Sequence, residues 1–592
     1  MVTGMEKFMD RISEEMRRAF EEAGYDPALG RVTLSNRPDL CEYQCNGAMA
    51  AAKKYKKAPF VIAQEIAGKL DSSDIFQSVE AVMPGFLNLT LRGSFVLNYF
   101  NEMIMQEKYG VENPVMPQTI VLDYGGPNVA KPLHVGHLRP AIIGESIKRI
   151  VRYAGHKVIG DVHLGDWGLP MGQIITELKV RKPQLCYFDE TYEGEYPEEA
   201  PFTIAELEEI YPYASGKCKV DEAYKAQALE ATAQLQNGLK GYRALWKQIL
   251  KVSVNDLKKN YEKLDVHFDL WNGESDVDDL IPDMVRKMKE EGHAYLSDGA
   301  LVVDIRKETD KKELPPCIIL KSDGAANYET TDLATIIQRE RDYQPDAIVY
   351  VVDKRQELHF EQVFRCARKT GIVRDETTLQ FIGFGTMNGP DGKPFKTRDG
   401  GVLRLEYLLK QITDQMYEKI RDNKELPEEE AKSTAAKVAL AAVKYGDLSN
   451  QAAKDYIFDV ERFTSFEGDT GPYILYTMVR MKSILSKYRE AGGDPDAAAC
   501  MEPDSKVEKE LMMDLAGFNA MLAEACEERA PHKVCAFIYQ AANDINSFYH
   551  AVKILTEEDQ KKQEGYIALL NSALKIMETC IGLLGFEAPE RM

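Results

Sequence analysis

The 592-residue chain is 44% apolar and 29% charged, the balance of a globular protein with room for about four structural units, and no run of eighteen apolar residues offers a membrane span. Its 74 basic and 95 acidic residues leave a formal charge of −21, which excludes a uniformly basic coat for nucleic acid and confines any such surface to local patches. The ten cysteines are scattered, with only Cys41 and Cys45 close together; this excludes a zinc site and fits reduced core thiols in a cytoplasmic protein.

Met5, Phe8, Ile12, Met16 and Phe20 share one face of an amino-terminal helix, interrupted by too many charges for a secretion signal. Residues 1–115 continue through Tyr43 to Lys57 and Pro59 to Leu70 to a β segment, Phe86 to Leu91, and read as a small α+β module. Thr119 to Tyr124 is a buried strand. Leu138, Ile142, Ile143, Ile147, Ile150 and Val151 stripe the helix after it, which stops at Gly155, and Lys157 to Val162 is a second strand. Together they make a βαβ unit. Ala347 to Val352, a helix from Gln356 to Lys369, and Leu379 to Phe384 resume the parallel sheet.

The intervening residues, 165–320, read as an insertion; it carries an acidic block, Asp189 to Glu209, with nine carboxylates and no lysine or arginine. Helices follow over Ala431 to Tyr445, Pro472 to Tyr488, Lys506 to Glu527 and Tyr566 to Leu584. The predicted fold is α/β. A Rossmann-like parallel-sheet catalytic domain (116–405) is split by the insertion and accompanied by the N-terminal α+β module, a helical connector (406–450) and a C-terminal all-α bundle (451–592).

Directly after the first strand comes Gly125-Gly126-Pro127-Asn128-Val129-Ala130-Lys131-Pro132-Leu133-His134-Val135-Gly136-His137. Two histidines bracket a glycine where a βα turn opens into a helix, and unpaired backbone N–H groups there favour a phosphate. Two surface histidines at a helix start are the plainer alternative, which the strand before and the striped helix after disfavour. A second cationic stretch, Gly383 to Gly401, carries Lys393, Lys396 and Arg398, charges suited to a leaving pyrophosphate; its Asn-Gly and Asp-Gly pairs equally suit a surface hairpin. In the Pro472 helix, Ile474, Met478, Met481, Leu485 and Tyr488 form one face, and Tyr473, Tyr476, Arg480 and Lys487 another. The second face suits unpaired bases and phosphates, or a solvated bundle flank. Lys53-Lys54-Tyr55-Lys56-Lys57 is either a further basic patch or a charged helix end.

Asp123 to Arg139 resembles the HIGH signature of the class I aminoacyl-tRNA synthetases, in the form it takes in the arginyl-tRNA synthetase family. Tyr328-Glu329-Thr330-Thr331-Asp332, Asp353 to Phe360, Lys444 to Leu448, Pro589 to Met592 and Tyr43 to Asn46 resemble the same family, so the likeness spans nearly the whole chain. The resemblance implies that ATP and L-arginine form arginyl-adenylate and that the 2′-hydroxyl of the terminal adenosine of the arginine tRNA takes the aminoacyl group. It implies Mg2+ held through the ATP phosphates without a protein cage, and a monomeric enzyme with no membrane contact.

By the same resemblance His134, His137, Lys131, Lys393 and Lys396 are catalytic, and His134, Gly136, His137, Met387 and Lys396 bind ATP. Tyr328 and Asp332 face the guanidinium with Glu274 as a third candidate, while Asp123, Asn128 and Gln356 hold the α-amino end. Pattern alone reads Asp332 as the N-cap of a helix from Leu333 to Arg341 and Tyr328 as a strand aromatic. Tyr473, Tyr476 and Arg480 fall in the anticodon-binding bundle, and Lys53 to Lys57 in a module that contacts the tRNA elbow.

The sequence departs from the usual Lys-Met-Ser-Lys-Ser loop with Gly392-Lys393-Pro394-Phe395-Lys396-Thr397-Arg398, and Lys131 resembles the lysine that compensates. The resemblance also implies that activation requires bound tRNA, an expectation that the irregular loop motivates. Two other readings stand beside this one. A tRNA-independent nucleotidyltransferase would share the histidine signature but leave the final helices without a task, and a silent scaffold would be expected to lose the histidines or Asp332.

Overall fold

The computed structural model describes residues 4–395, 403–422 and 425–592. They form two compact units, one of Val115–Lys419 with Ala442–Thr464, the other of the residues up to Pro114 with Ile420–Ala441 and Ser465–Met592.

The first unit is built on four parallel strands: β1 (Thr119–Tyr124), β2 (Lys157–Asp161), β3 (Ala347–Asp353) and β4 (Thr378–Phe384), in the spatial order β4-β3-β1-β2. β1 and β3 are continuous apolar runs because helices cover both faces, and Ile120, Val121, Leu122, Ile348 and Val349 are all buried. From β1 the chain crosses to β2 on one side, while β3 lies on the other. That is a topological switch point, and it opens a crevice at the carboxyl ends of β1 and β3. Helix α1 (Leu138–Tyr153) buries its apolar stripe against β1, β2 and β3.

α1 also buries charge. The Arg139 guanidinium donates to Asp447 Oδ2 (3.1 Å), Gly385 O (2.6 Å) and Lys454 O (3.1 Å), and the Tyr456 hydroxyl donates to the same carboxylate (2.7 Å). The Lys444 to Leu448 motif therefore fastens the histidine helix to the exit of β4.

The insertion contributes helices Leu169–Arg181, Ile204–Val220, Glu222–Gln236 and Lys240–Lys263 and a three-stranded antiparallel sheet, Ala294–Ser297, Ala300–Val303 and Cys317–Leu320. Between them the chain returns to the edge of the main sheet, where Leu270 pairs with Asp161 and Gly273 with Leu164. The acidic block is partly neutralised. Glu206 closes a capping box with Thr203 and pairs with Lys182, Glu209 meets Arg181, and Glu208 meets Arg404 at 2.7 Å.

Helices α2 (Tyr328–Tyr343) and α3 (Glu357–Lys369) flank β3. α2 begins earlier than the pattern suggests. Asn327 precedes it, so Asp332 lies within the helix instead of capping it, and Tyr328 is its first residue and not a strand aromatic.

In the second unit the amino-terminal module and the final helices pack together: Lys509 Nζ reaches Glu42 Oε1 (2.5 Å) and Leu91 O (2.6 Å), and Asn519 Nδ2 donates to the Tyr99 hydroxyl (3.2 Å). The predicted helix from Lys506 to Glu527 is two helices, Lys506–Ala516 and Phe518–Glu527, broken at Gly517. Gln560–Leu584 has the length and hydropathy of a membrane span, but 72% of its apolar window is buried inside this bundle. Cys45 lies in a strand and Cys41 just before it; both are buried, and none of the ten cysteines forms a disulfide.

Candidate active site

β1 ends in a turn where Gly125 and Gly126 take φ values of +99° and +60°, a region glycine enters without strain. The chain then rises to the histidines. His134 Nδ1 accepts from the Gly136 N–H (3.0 Å), and His137 Nδ1 accepts from the His134 N–H (3.1 Å). A Cβ on Gly136 would lie 2.6 Å from the His134 ring, so any side chain there would displace that ring.

Burial, then the charge of Lys131, lowers His134 to about 4; burial, then His134 and Lys131, lowers His137 to about 3. Both rings are therefore neutral at pH 7. With Nδ1 spent as an acceptor, each carries its proton on Nε2. The rings stand 4.0 Å apart between centroids, so two neutral N–H donors sit side by side at the mouth of α1.

Lys131 is half-buried beside them. The Leu403 carbonyl accepts from Val135 N–H (3.0 Å) and the Leu405 N–H donates to Leu133 O (3.1 Å), which brings the chain following the lysine loop against the histidine turn. Lys393 is exposed, its N–H on Asp391 Oδ1 (3.0 Å). Lys396 and Arg398 lie outside the described residues. Met387 is buried in a two-residue strand paired with Tyr456–Ile457, three residues after Phe384, which lines the crevice.

The crevice is a cleft of about 550 Å³. Gly136 and His137 line it, as do Asp123, Asn128, Glu274, Tyr328, Asp332 and Gln356, so every residue assigned to arginine by resemblance opens on the space that the histidine signature borders. Asp332 opens on the same cleft as His137, but from the other face of the sheet: α2 packs against Val121 and Ile348, whereas α1 packs against Tyr124.

The acids are held differently. Asp123 accepts from Arg339 Nη2 (2.7 Å), which also reaches Asp161 (3.0 Å). Asp332 Oδ2 meets His359 Nε2 at 2.5 Å, and its Oδ1 lies 3.9 Å from His163 Nε2. Burial pushes Glu274 up to about 7, the nearby Asp166 and Asp332 carboxylates adding to the rise and His163 opposing it. Burial likewise pushes Asp166 up to about 6, although Ser275 donates to it twice. A buried carboxylate raised to neutrality gains most from an arriving cation. His163, Asp166 and Arg339 escaped the sequence reading; His359 stood in a quoted motif without a role.

The sequence matches the catalytic domain of class I (R) tRNA synthetases over residues 100–460, the arginyl tRNA synthetase N-terminal domain over 6–91 and the DALR anticodon-binding domain over 474–592. The chain belongs to the arginyl-tRNA synthetase family. An arginine–tRNA ligase of Agathobacter rectalis is 62% identical over 597 residues, covering 99% of this chain and 100% of the relative; one of Alkaliphilus oremlandii is 55% identical over 588 residues with the same coverage. Solved arginyl-tRNA synthetases from Plasmodium falciparum (TM-score 0.79, 22% identity, all of both chains) and Thermus thermophilus (TM-score 0.75, 22% identity, 99% of this chain and 100% of that one) share the fold.

In this family member the helical unit carries a second cavity, of about 500 Å³, lined by Tyr476, Arg480 and Lys487 together with Tyr549, His550 and Lys553. The Arg480 guanidinium lies 5.0 Å from the Tyr476 ring centroid and 4.5 Å from that of Tyr549. Tyr473 is turned elsewhere, its hydroxyl donating to Asn543 (2.7 Å) and accepting from Asn546 (2.9 Å). In the basic cluster Lys53 and Lys56 are exposed, Lys54 pairs with Asp26 (2.9 Å), Lys57 pairs with Glu65, and Tyr55 packs edge-on against Tyr25. Tyr549, His550 and Lys553 escaped the sequence reading because they come from a different stretch of chain.

Proposed function

We propose that the chain attaches L-arginine to its tRNA by the two-step class I route, arginyl-adenylate formation followed by transfer to the 2′-hydroxyl of the terminal adenosine. One observation carries the reading: a single cleft at the switch point is lined by His137, one of a neutral histidine pair, and by the acids Asp332 and Glu274. The arginine carboxylate is the nucleophile, so the protein contributes orientation and charge stabilisation and needs no side-chain base.

The Nε2–H groups of His134 and His137 donate to the phosphates as charge shifts toward pyrophosphate. Neutral donors avoid the cost of burying two imidazolium ions in the free enzyme. Lys131, Lys393 and Lys396 share the leaving pyrophosphate. Mg2+ carried on the ATP phosphates supplies Lewis-acid polarisation there.

Asp332 and Glu274 receive the guanidinium, whose planar N–H fork pairs best with carboxylates, and Tyr328 flanks it. Asp123, Asn128 and Gln356 hold the α-amino end. The cavity at Tyr476, Arg480 and Tyr549 offers stacking surface and charge to an unpaired anticodon base. Lys53 and Lys56, both exposed, contact the tRNA elbow. The enzyme acts in the cytoplasm as a monomer.

ATP–pyrophosphate exchange tests this. Exchange is expected to require both arginine and tRNA. Full exchange in tRNA-free protein would refute the tRNA requirement, and exchange indifferent to arginine would favour a nucleotidyltransferase of another kind. In the same assay Lys131→Ala is expected to lower the rate about 10²-fold, the scale for removing one electrostatic stabiliser, and Lys393→Ala by less. An unchanged Lys131→Ala beside an inactive Lys396→Ala would reverse the assignment.

A further inference from the structure

We propose that His359 is the resident cation of the guanidinium site: in the free enzyme it occupies Asp332, and arginine binding displaces that interaction with release of the imidazolium proton. The inference rests on the reading of Asp332 as a guanidinium acceptor and adds a proton to it. His359 lines the cleft from the first turn of α3, and its Nε2 sits 2.5 Å from Asp332 Oδ2. Its other nitrogen, Nδ1, lies 3.6 Å from Glu329 Oε1, and Glu329 Oε2 is buried without a hydrogen-bond partner. A guanidinium that takes Asp332 bidentately needs both carboxylate oxygens, one of which His359 now holds.

Burial alone would disfavour the charged ring, but Asp332 and Glu329 outweigh it and raise His359 to about 9, so it is protonated at pH 7. Placing a second cation on Asp332 removes part of that support, and the imidazolium becomes the weaker base in the complex. Because the free enzyme then binds more protons than the complex, arginine affinity rises with pH between the complexed and free pKa values of His359 and levels off above about 9. The other groups around it are Glu329 and Asp332 from α2, Lys321 beyond Glu329, His163 after β2, Glu274 from the insertion, Asp123 from β1 and Asp353 from β3. Of these Glu274, raised to about 7, titrates near neutrality, and His163 is raised by the Asp123 charge against its burial. These groups, and the α-amino group of arginine itself, are common to the wild type and a His359 variant, so the difference between the two proteins isolates His359.

The proton is counted by titration calorimetry of L-arginine into the full-length protein with tRNA bound, at pH 7, 8 and 9, in buffers of different ionisation enthalpy. His359→Gln keeps a donor to Asp332 but cannot titrate. Wild type is expected to release more protons than the variant and to gain about tenfold more affinity than it between pH 7 and 9, within the limit of one linked proton. Equal proton release and parallel pH profiles would overturn the proposal. Should the variant not fold, absence of proton release by wild type at pH 8 does the same. Asp332→Asn separates the two levels. If it binds arginine as tightly as wild type, the guanidinium assignment itself falls; if it loses arginine while His359→Gln releases protons as wild type does, only the role of His359 falls.

Discussion

Replacing Asp332 by asparagine is expected to lower kcat/KM for arginine about 10³-fold, with KM for ATP changed by less than about threefold, in pyrophosphate exchange with tRNA present. The two side chains have the same shape, so the loss reports charge and donor–acceptor match. Asparagine offers one acceptor oxygen and turns an N–H donor toward a guanidinium that has only donors. Truncating one member of a buried, hydrogen-bonded charge pair costs about 2–5 kcal/mol, and about 4 kcal/mol corresponds to 10³ in affinity. Asp332 and His137 border one cleft from different elements, which is why the effect should fall on arginine and spare ATP. Equal losses for both substrates would mean that the variant had damaged the fold and not the specificity pocket.

The second large effect lies behind the site. Arg339 is 1% exposed, and its Nη2 serves both Asp123 and Asp161 while the guanidinium stands 5.5 Å from the Tyr350 ring centroid. Arg339→Met is expected to destabilise the sheet-bearing unit by about 3–5 kcal/mol, because it strands two carboxylates in the interior. Chemical denaturation followed by a probe in that unit would show it. The triple variant Arg339→Met, Asp123→Asn, Asp161→Asn should recover much of the stability, since no charge is then buried alone, yet stay inactive if Asp123 holds the α-amino group. A single variant as stable as wild type would mean that the arginine merely fills space.

Much of this was legible in the sequence because the signals are local. Thr119 to Tyr124 is recognisable as a strand buried on both faces, and the glycine-bracketing histidines announce a phosphate turn wherever a strand precedes them. What escaped depends on contacts between distant residues. α2 starts at Tyr328, but its apolar stripe begins only at Leu333, so the first turn, Tyr328-Glu329-Thr330-Thr331-Asp332, carries no periodic signal and its Asp looks like a cap. Glu274 reaches the cleft because Leu270 and Gly273 return to the sheet edge, a pairing over more than a hundred residues. His359 acquires its charge from Asp332 and Glu329 on another helix. Tyr473 and Tyr476 are three residues apart, yet one is spent on asparagines of a neighbouring helix and the other opens on a cavity, a difference only packing decides.

The account stands most directly on whether one crevice serves both substrates. A crystal structure of the full-length protein with tRNA, L-arginine and a non-hydrolysable ATP analogue tests it. The predicted result places guanidinium nitrogens within hydrogen-bond distance of the Asp332 carboxylate and phosphate oxygens against Nε2 of His134 and His137. A guanidinium bound away from Asp332, or phosphates seated away from the histidines, would contradict it.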